Sequence, residues 1–498
     1  MFKKTAVLAL ALALLCTTVS FSFAAQAEGE VVTVEVLRNV WETGVDEDLI
    51  EDNFLEQYIR ENYGIDIQYT KVDELETTLN MRLLSGDVPD IMFLPNRNYL
   101  IEYANEGYLL NLDEYADLLT DALAFTAGNA VAGKVDGVTY AIAGRPYGFR
   151  QAYWYNVNAF EAAGITELPT TLDGYFDAVR TVIAADIDGN AVNDTLGLTG
   201  SGWSTLCQIF GAHGCTVPNV LSLDADGNVV DTMLTQNFYD ALLYAHNLWD
   251  EGIIDKEIFA INDTQVNDKG MIAQSTTLYT QWPGIKKVAA WDGYLAVDPN
   301  AAWEIVGPLT GPDGETNYVG SHNDTGFTSL VAVNAELADD PAVLEAALTL
   351  INFFATDEGL SLTTYGLEGQ HWDYDADGNP VVRPECYNDI VFSWVYQMCG
   401  REELSYCRVK FGEYAWEYVV QSDAQPRLSD VTALIDDPEW YNGTDAETYI
   451  NEECAKFLTG ERELNETEWQ AFLDTLNTTY RYSEFVEEAN AAWQAMVG

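Results

Sequence analysis

The segment between residues 31 and 94 alternates strand and helix patterns, and this alternation constrains the fold more than any other feature of the chain. Strand patterns cover residues 31–37, 65–69 and 91–94, and helical spacing of apolar residues covers 46–62 and about 73–85. Strands alternating with helices predict a mostly parallel sheet covered on both faces. Ligands bind such sheets at the carboxyl ends of the strands. This rule places five residues at the rim of a site: Arg38, Asn39, Trp41, Asn96 and Arg97.

The length of the chain argues for more than one hydrophobic core. A chain of 498 residues exceeds what one core normally serves, so we predict at least two packed lobes. Aromatic residues make up 12% of the sequence. Their large faces suit both cores and ligand platforms.

The N-terminus carries the pattern of a secretory signal peptide. Lys3 and Lys4 precede an apolar run that ends at Leu15, and Ala25-Gln26-Ala27 forms a small-residue cleavage signal. We therefore predict that residues 1–27 are a signal peptide and that the mature protein is secreted or held at the extracellular face of the membrane.

Cys16 leaves a lipid anchor open. The residue before a bacterial lipoprotein cysteine is small, whereas Leu15 is not. Loss of Cys16 with the leader is therefore the favoured interpretation.

The chain is strongly acidic. Removing residues 1–27 takes away Lys3 and Lys4 and no acid, which leaves 21 basic and 80 acidic residues and a net charge near −59. Such a charge repels phosphate backbones, so we expect no nucleic-acid partner. It also disfavours long-range capture of polyanionic sugars, which only local arginines at the site could offset.

The cysteines and histidines show no metal-ligand or redox spacing. The six cysteines outside the leader form no C-x-x-C pair; they are Cys207, Cys215, Cys386, Cys399, Cys407 and Cys454. Disulfides that close short loops, Cys207–Cys215 or Cys399–Cys407, are left open. The four histidines, of which His371 is one, are scattered along the chain.

Catalytic motifs are missing from the sequence: it has no G-x-S-x-G, H-E-x-x-H, P-loop or G-x-G-x-x-G run. We therefore predict that the protein is not an enzyme. A secreted glycan hydrolase or lyase stays open as an alternative, since glycoside hydrolysis needs only two suitably placed carboxylates.

One loop has the spacing of a calcium site. The candidate ligands fall at positions 1, 3, 5, 7 and 9 of a calcium-type loop, with position 7 acting through its backbone carbonyl: Asp186, Asp188, Asn190, Val192 and Asp194. The acid expected at position 12 is replaced by Gly197, so a plain turn is the alternative. Similar runs at 224–228 and 375–379 lack the later acid, and we predict hairpin turns there.

Several segments carry a family resemblance. They are Ser85-Gly86-Asp87-Val88-Pro89-Asp90-Ile91, residues 107–113, residues 136–142, residues 155–165 and Pro169-Thr170-Thr171-Leu172-Asp173. In order and spacing these segments resemble motifs of the extracellular solute-binding proteins of family 1, the maltose-binding-protein class. The resemblance covers more than half of the chain.

Two further segments narrow the resemblance. Residues 186–198, and residues 365–372 with the sequence YGLEGQHW, are similar to signatures of the LplA-like branch, which includes alginate-oligosaccharide binders. Val192 and Asn193 depart from the usual Gly-Lys of the first signature.

The resemblance implies an α/β fold of two lobes, of the class II periplasmic-binding-protein type, with a helix-rich C-terminal part. It implies lobe 1 over residues 28–144 and 321–365, and lobe 2 over 145–320 and 366–498. The implied function is capture of an oligosaccharide between closing lobes and its delivery to the membrane permease of an ABC importer. We expect a monomer with structural calcium and no organic cofactor; a peptide-like cargo and a receptor-presenting sensor are the alternatives.

The predicted ligand site draws on aromatic and polar residues near the lobe crossings. Sugars present apolar faces that stack on aromatic rings and hydroxyls that bind polar side chains. The candidates are Trp41, Arg150, Tyr153, Trp154, Trp203, Trp282, Glu368, His371 and Trp372. For each of them, packing in the core is the competing interpretation. Trp249, Trp416 and Trp469 lie in helical patterns and are assigned to cores.

Overall fold

The fold was obtained as a computed structural model. It describes residues 31–39, 53–145, 152–186, 195–272, 275–280, 288–319, 329–411, 417, 420–422 and 424–497. The signal peptide and Cys16 predicted above lie outside these residues. Within the described part, no helix combines the length and the apolar character needed to cross a membrane.

The described strands form two main sheets and three hairpins. The strands are β1 (Val32–Asn39), β2 (Ile65–Val72), β3 (Ile91–Leu94), β4 (Lys134–Val135), β5 (Val138–Thr139), β6 (Ala141–Ala143), β7 (Ala152–Asn156), β8 (Leu196–Thr199), β9 (Leu221–Leu223), β10 (Val229–Asp231), β11 (Ser275–Thr280), β12 (Trp303–Ile305), β13 (Leu330–Val333), β14 (Trp372–Tyr374) and β15 (Pro380–Val382).

Helices flank both main sheets. The α-helices are α1 (Phe54–Tyr63), α2 (Leu75–Ser85), α3 (Arg97–Asn105), α4 (Thr120–Phe125), α5 (Val157–Ala162), α6 (Leu172–Ala184), α7 (Cys207–Ala212), α8 (Gln236–Asp250), α9 (Asp263–Met271), α10 (Val288–Val297), α11 (Pro341–Phe353), α12 (Asp357–Tyr365), α13 (Tyr387–Ile390), α14 (Glu403–Phe411), α15 (Gly443–Thr459), α16 (Glu466–Tyr480) and α17 (Tyr482–Val497).

The first sheet has the order β2-β1-β3-β13-β6 and is parallel except for β13. Helix α1, which flanks this sheet, is capped at both ends. The side chain of Asn53 caps α1 by accepting from Leu55 and Glu56, and Gly64 ends it in the left-handed conformation at φ 67°. All three predicted strands and both predicted helices of residues 31–94 are present, but the first helix begins at Phe54 and not at residue 46, because Asn53 is extended and caps it.

The second sheet has the order β12-β7-β11-β8. Its two faces are covered by different apolar clusters, because Tyr153 of β7 packs with α6, α7 and α8 whereas Trp154 packs with Leu278 and Trp303. Helices α15 to α17 complete the core on the Tyr153 side. The predicted two-lobed α/β fold with a helix-rich C-terminal part is confirmed.

The chain passes between the sheets between residues 144 and 151 and again between 306 and 329, near two of the three expected crossings. The third passage lies later than the boundary expected between residues 365 and 366. Residues 392–399 and Tyr406 pack in the first core, and Val431 packs in the second. The lobe boundaries remain a proposal. We now propose that residues 366–406 belong to lobe 1, whereas the resemblance implied lobe 2.

The predicted hairpin turns at 224–228 and 375–379 and the predicted burial of Trp249 and Trp469 are confirmed. In the turn between β9 and β10, Asp224 accepts from the backbone of Asp226 and Asn228, and Asp375 does the same between β14 and β15. Trp249 and Trp469 are buried in the second core; Trp416 lies outside the described residues.

Candidate functional site

The carboxyl edge of the first sheet holds a polar cavity of about 400 Å³. It forms where β1, β2 and β3 end, as the parallel-sheet rule predicts. Its lining residues come from the strand ends and the start of α2: Arg38, Asn39, Asp73, Glu74, Leu75, Glu76, Thr77, Phe93, Leu94, Pro95 and Ser329. Amide, hydroxyl and carboxylate groups therefore converge on one concave surface.

Arg38 forms the floor of this cavity. Its side chain is 7% exposed, and its guanidinium lies 4.3 Å from the ring centroid of Phe93 and 5.3 Å from that of Trp394. Nη1 donates to the backbone carbonyl of Val395 at 2.5 Å. The same carbonyl accepts from Tyr69 Oη at 3.0 Å, and burial raises the pKa of Tyr69 to about 12. Arg38 thus fixes residues 394–395 against the first sheet.

The carboxylates that line the cavity are exposed, whereas Arg38 is buried. Asp73, Glu74 and Glu76 are exposed and follow directly on the end of β2. Glu76 accepts from Tyr99 Oη at 3.2 Å. Carboxylates can accept from adjacent hydroxyls of one ligand, so this wall suits a hydroxylated molecule.

Two more of the five residues expected at this rim, Asn96 and Arg97, have structural roles, and Trp41 lies outside the described residues. Asn96 caps α3 by accepting from Asn98 and Tyr99. Arg97 is 8% exposed, donates to the carbonyls of Ala132 and Lys134 at 2.8 Å each, and pairs with Asp436 at 2.9 Å.

The carboxyl edge of the second sheet presents an aromatic pair. After β8 the chain turns through Gly202, whose N–H donates to Ile258 at 2.6 Å, and then reaches Trp203. The rings of Trp203 and Phe259 meet edge to face with centroids 5.2 Å apart. Phe259 is 44% exposed and Trp203 is half-buried, so the pair offers apolar ring surface to a ligand.

The connections between the sheets start from these two edges. β6 runs parallel to β3 and ends at Ala143, beside Ser329 at the start of β13. The chain enters the second sheet at Ala152, which pairs with Thr280 at the carboxyl end of β11. Both carboxyl edges therefore lie on the side of the crossings, as a ligand cleft between two lobes requires.

Tyr153 and Trp154 are corrected from ligand-binding candidates to core residues. They are 0% and 1% exposed, and Tyr153 Oη donates to the carbonyl of Thr205 at 2.5 Å. The reason is that β7 lies between β11 and β12 with both faces covered, so neither side of the strand reaches a cleft.

His371 and Trp372 are likewise corrected to structural residues. Nδ1 of His371 accepts from the N–H of Leu367 at 2.9 Å, and Trp372 Nε1 donates to the carbonyl of Gly366 at 2.9 Å. The two side chains are 3% and 5% exposed, and burial lowers the pKa of His371. They lock the turn between α12 and β14; Glu368 is exposed on that turn, and its role in binding stays a prediction.

The remaining candidates fall largely outside the described residues. These are Trp41, Arg150 and Trp282 of the ligand set and Asp188, Asn190, Val192 and Asp194 of the calcium set. Asp186 is described: it follows α6 in the left-handed conformation at φ 47°.

Sequence reasoning missed Asp73, Glu74 and Phe259. The two acids follow a predicted strand, so the strand-end rule could have found them. Phe259 belongs to an irregular segment after α8 and is brought to Trp203 by tertiary contacts alone.

Solved structures of solute-binding proteins share this fold. The alginate-binding protein AlgQ2, in a structure without calcium ion, is 16% identical with a TM-score of 0.67, and the match covers 95% of this chain and 99% of that one. FusA of Streptococcus pneumoniae in complex with kestose is 17% identical with a TM-score of 0.64, covering 93% and 99%.

The matches to sequence relatives cover smaller shares of both chains than the matches to solved structures do. The polygalacturonan/rhamnogalacturonan-binding protein YtcQ of Bacillus subtilis is 23% identical over 328 residues, which is 64% of this chain and 62% of that protein. The chain spans 41–62% of the length of the first curated relatives it matches.

The family model of bacterial extracellular solute-binding proteins matches residues 45–360. This match includes strands of both main sheets, the cavity residues from Asp73 to Ser329 and the Trp203–Phe259 pair, whereas Arg38 and Asn39 of β1 precede it. The chain therefore belongs to the bacterial extracellular solute-binding protein family.

Proposed function

We propose that this protein captures an oligosaccharide in the cleft between its two sheet edges and delivers it to the permease of an ABC importer. The observation that carries the proposal is the pairing of a polar cavity at one carboxyl edge with the Trp203–Phe259 pair at the other. Carboxylate, amide and hydroxyl groups bind sugar hydroxyls, and aromatic rings cover the apolar face of a sugar ring.

The relatives support a saccharide ligand. Alginate, kestose and polygalacturonan are the ligands named for AlgQ2, FusA and YtcQ. Closing of the two lobes around a ligand is the hinge motion that the fold permits. The protein would act as a monomer, exported by the leader predicted at residues 1–27, and binding rather than turnover would be its role.

A thermal-shift screen tests the proposal. The protein from residue 28 onward is heated with kestose, xylotriose, maltotriose, trigalacturonate or an alginate trimer, and a true ligand at 100 times its Kd adds about 2.7 kcal/mol of stability. Trp203→Ala should reduce that stabilisation to about 1.4 kcal/mol or less at the same ligand concentration, because it should weaken binding at least about tenfold. Trp440→Ala is the control, because Trp440 lies beneath Arg481 of the C-terminal helices. Absence of any shift, or cleavage of the bound sugar, would contradict the proposed function.

We further propose that the loop after α6 holds a structural calcium ion. The donor set of Asp186, Asp188, Asn190 and Asp194, with the carbonyl of Val192, consists of the hard oxygen ligands that Ca²⁺ prefers. Terbium luminescence should rise with one equivalent of ion and fall in Asp188→Ala. Asp226→Ala in the hairpin turn between β9 and β10 should leave it unchanged; no terbium uptake by the unaltered protein would refute the site.

A further inference from the structure

We infer that the oligosaccharide is uncharged rather than a uronate, an inference that rests on the function proposed above. Three exposed carboxylates, Asp73, Glu74 and Glu76, line the cavity at the first sheet edge. Among the described residues that line the cavity, Arg38 is the one cation. The charge that a ligand meets at this edge is therefore negative.

Arg38 is already engaged within the protein. Its guanidinium lies between the Phe93 and Trp394 rings and donates to the carbonyl of Val395, which leaves the side chain 7% exposed. A bidentate clamp on a uronate carboxylate needs an accessible guanidinium fork. Arg38 in this arrangement serves the fold instead.

Of the cations that the structure describes near the second edge, Lys256 and Lys269 are also engaged within the protein. Lys269 pairs with Asp255 and Glu257 at 2.6 Å each. These two acids lie on the segment that leads to Phe259. Lys256 lies 4.1 Å from the ring centroid of Trp249 and donates to its carbonyl. The aromatic pair of this edge is itself uncharged.

These contacts favour a neutral ligand on both edges. Hydroxyl groups donate to carboxylates, whereas a ligand carboxylate repels them. The whole chain, with a net charge of −57, adds to that repulsion at long range. AlgQ2 and YtcQ are named for acidic polysaccharides and FusA was solved with kestose, an uncharged sugar, so this chain would resemble FusA in the charge of its ligand.

Calorimetric titration with matched sugars tests the inference. The probes are trigalacturonate and its fully methyl-esterified form, which differ in charge on one backbone, together with an alginate trimer, kestose, xylotriose and maltotriose. The tightest ligand should be uncharged, and any uronate should bind at least about tenfold more weakly than its ester at low salt. Raising the salt should narrow that gap, because it screens the repulsion.

A double variant isolates the cavity. Asp73→Asn with Glu74→Gln should raise the affinity for trigalacturonate about tenfold at low salt. Glu61→Gln, on α1 at the opposite edge of the sheet, should leave it unchanged. A uronate that is the tightest ligand, or that binds the double variant no better, would overturn the inference while the proposed function stands. Binding of no sugar at all would instead contradict the proposed function itself.

Discussion

The guanidinium of Arg38 donates to the backbone carbonyl of Val395. This hydrogen bond joins the end of β1 to a segment 357 residues later in the chain. This contact brings residues 394–395 to the floor of the cavity and uses the cation that could otherwise face a ligand. Arg38 therefore stabilises the fold of lobe 1, and its engagement there also affects the charge that the cleft presents to a ligand.

Replacing Arg38 by Met should lower the free energy of unfolding by about 3 kcal/mol, because a charged hydrogen bond and two aromatic contacts are lost. Guanidinium chloride denaturation measures the change. Arg60→Met removes a partly exposed ion pair with Asp66 and should cost less than about 1 kcal/mol. Equal effects of the two changes would contradict the role given to Arg38.

Asp231 should make stability depend on pH. Burial raises the pKa of its carboxyl from 3.8 to about 6, even though Tyr482 Oη and the N–H of Met233 donate to it. Because the folded-state pKa is raised, the stabilisation is complete below pH 3.8 and is lost as the pH rises through about 6.

Asp231→Asn should consequently cost less stability at pH 7 than at pH 4, by about 3 kcal/mol. Urea denaturation at the two pH values gives the difference. Asp226→Asn, an exposed carboxylate of the adjacent turn, should have the same small effect at both. If Asp231→Asn also shows no pH dependence, the carboxyl titrates normally in the folded protein.

Two glycines of one turn should differ in their tolerance of alanine. A Cβ on Gly366 would lie 2.4 Å from Nδ1 of His371, whereas one on Gly369 would meet nothing within 4 Å; both have positive φ, 79° and 75°. Gly369→Ala should cost about 1 kcal/mol through backbone strain alone. Gly366→Ala should cost at least about 2 kcal/mol more, since His371 must move. Thermal unfolding compares them, and equal losses would show that the turn is not locked by His371.

The cysteines should react according to burial. Cys207, Cys215, Cys399 and Cys454 carry free, buried thiols, and burial raises the pKa of Cys215 and of Cys399 to about 12. Cys386, which is half-buried, should be the first of these five to react with a thiol reagent in the native protein. The other four should react only after denaturation without reductant. If Cys207 and Cys215 do not react with the reagent even after denaturation without reductant, they form a disulfide.

The sequence predicted those parts of the fold that depend on local periodicity. Strand and helix patterns identified β1, β2 and β3 of the first sheet, and the strand-end rule identified Arg38 and Asn39 at the cavity. It could not predict that residues 392–399 pack on the first sheet, because an apolar run suits either core. Nor could it separate ligand aromatics from core aromatics: Tyr153 and Trp154 alternate on a strand whose two faces are both covered.

Capture between the two lobes requires one ligand to contact both sheet edges. Calorimetric titration with the sugar found in the screen should give one site per chain, and Asn39→Ala and Trp203→Ala should each weaken binding at least about tenfold, a loss of about 1.4 kcal/mol. Trp440→Ala should leave the affinity unchanged. Unaltered affinity in either Asn39→Ala or Trp203→Ala would contradict capture between the two lobes.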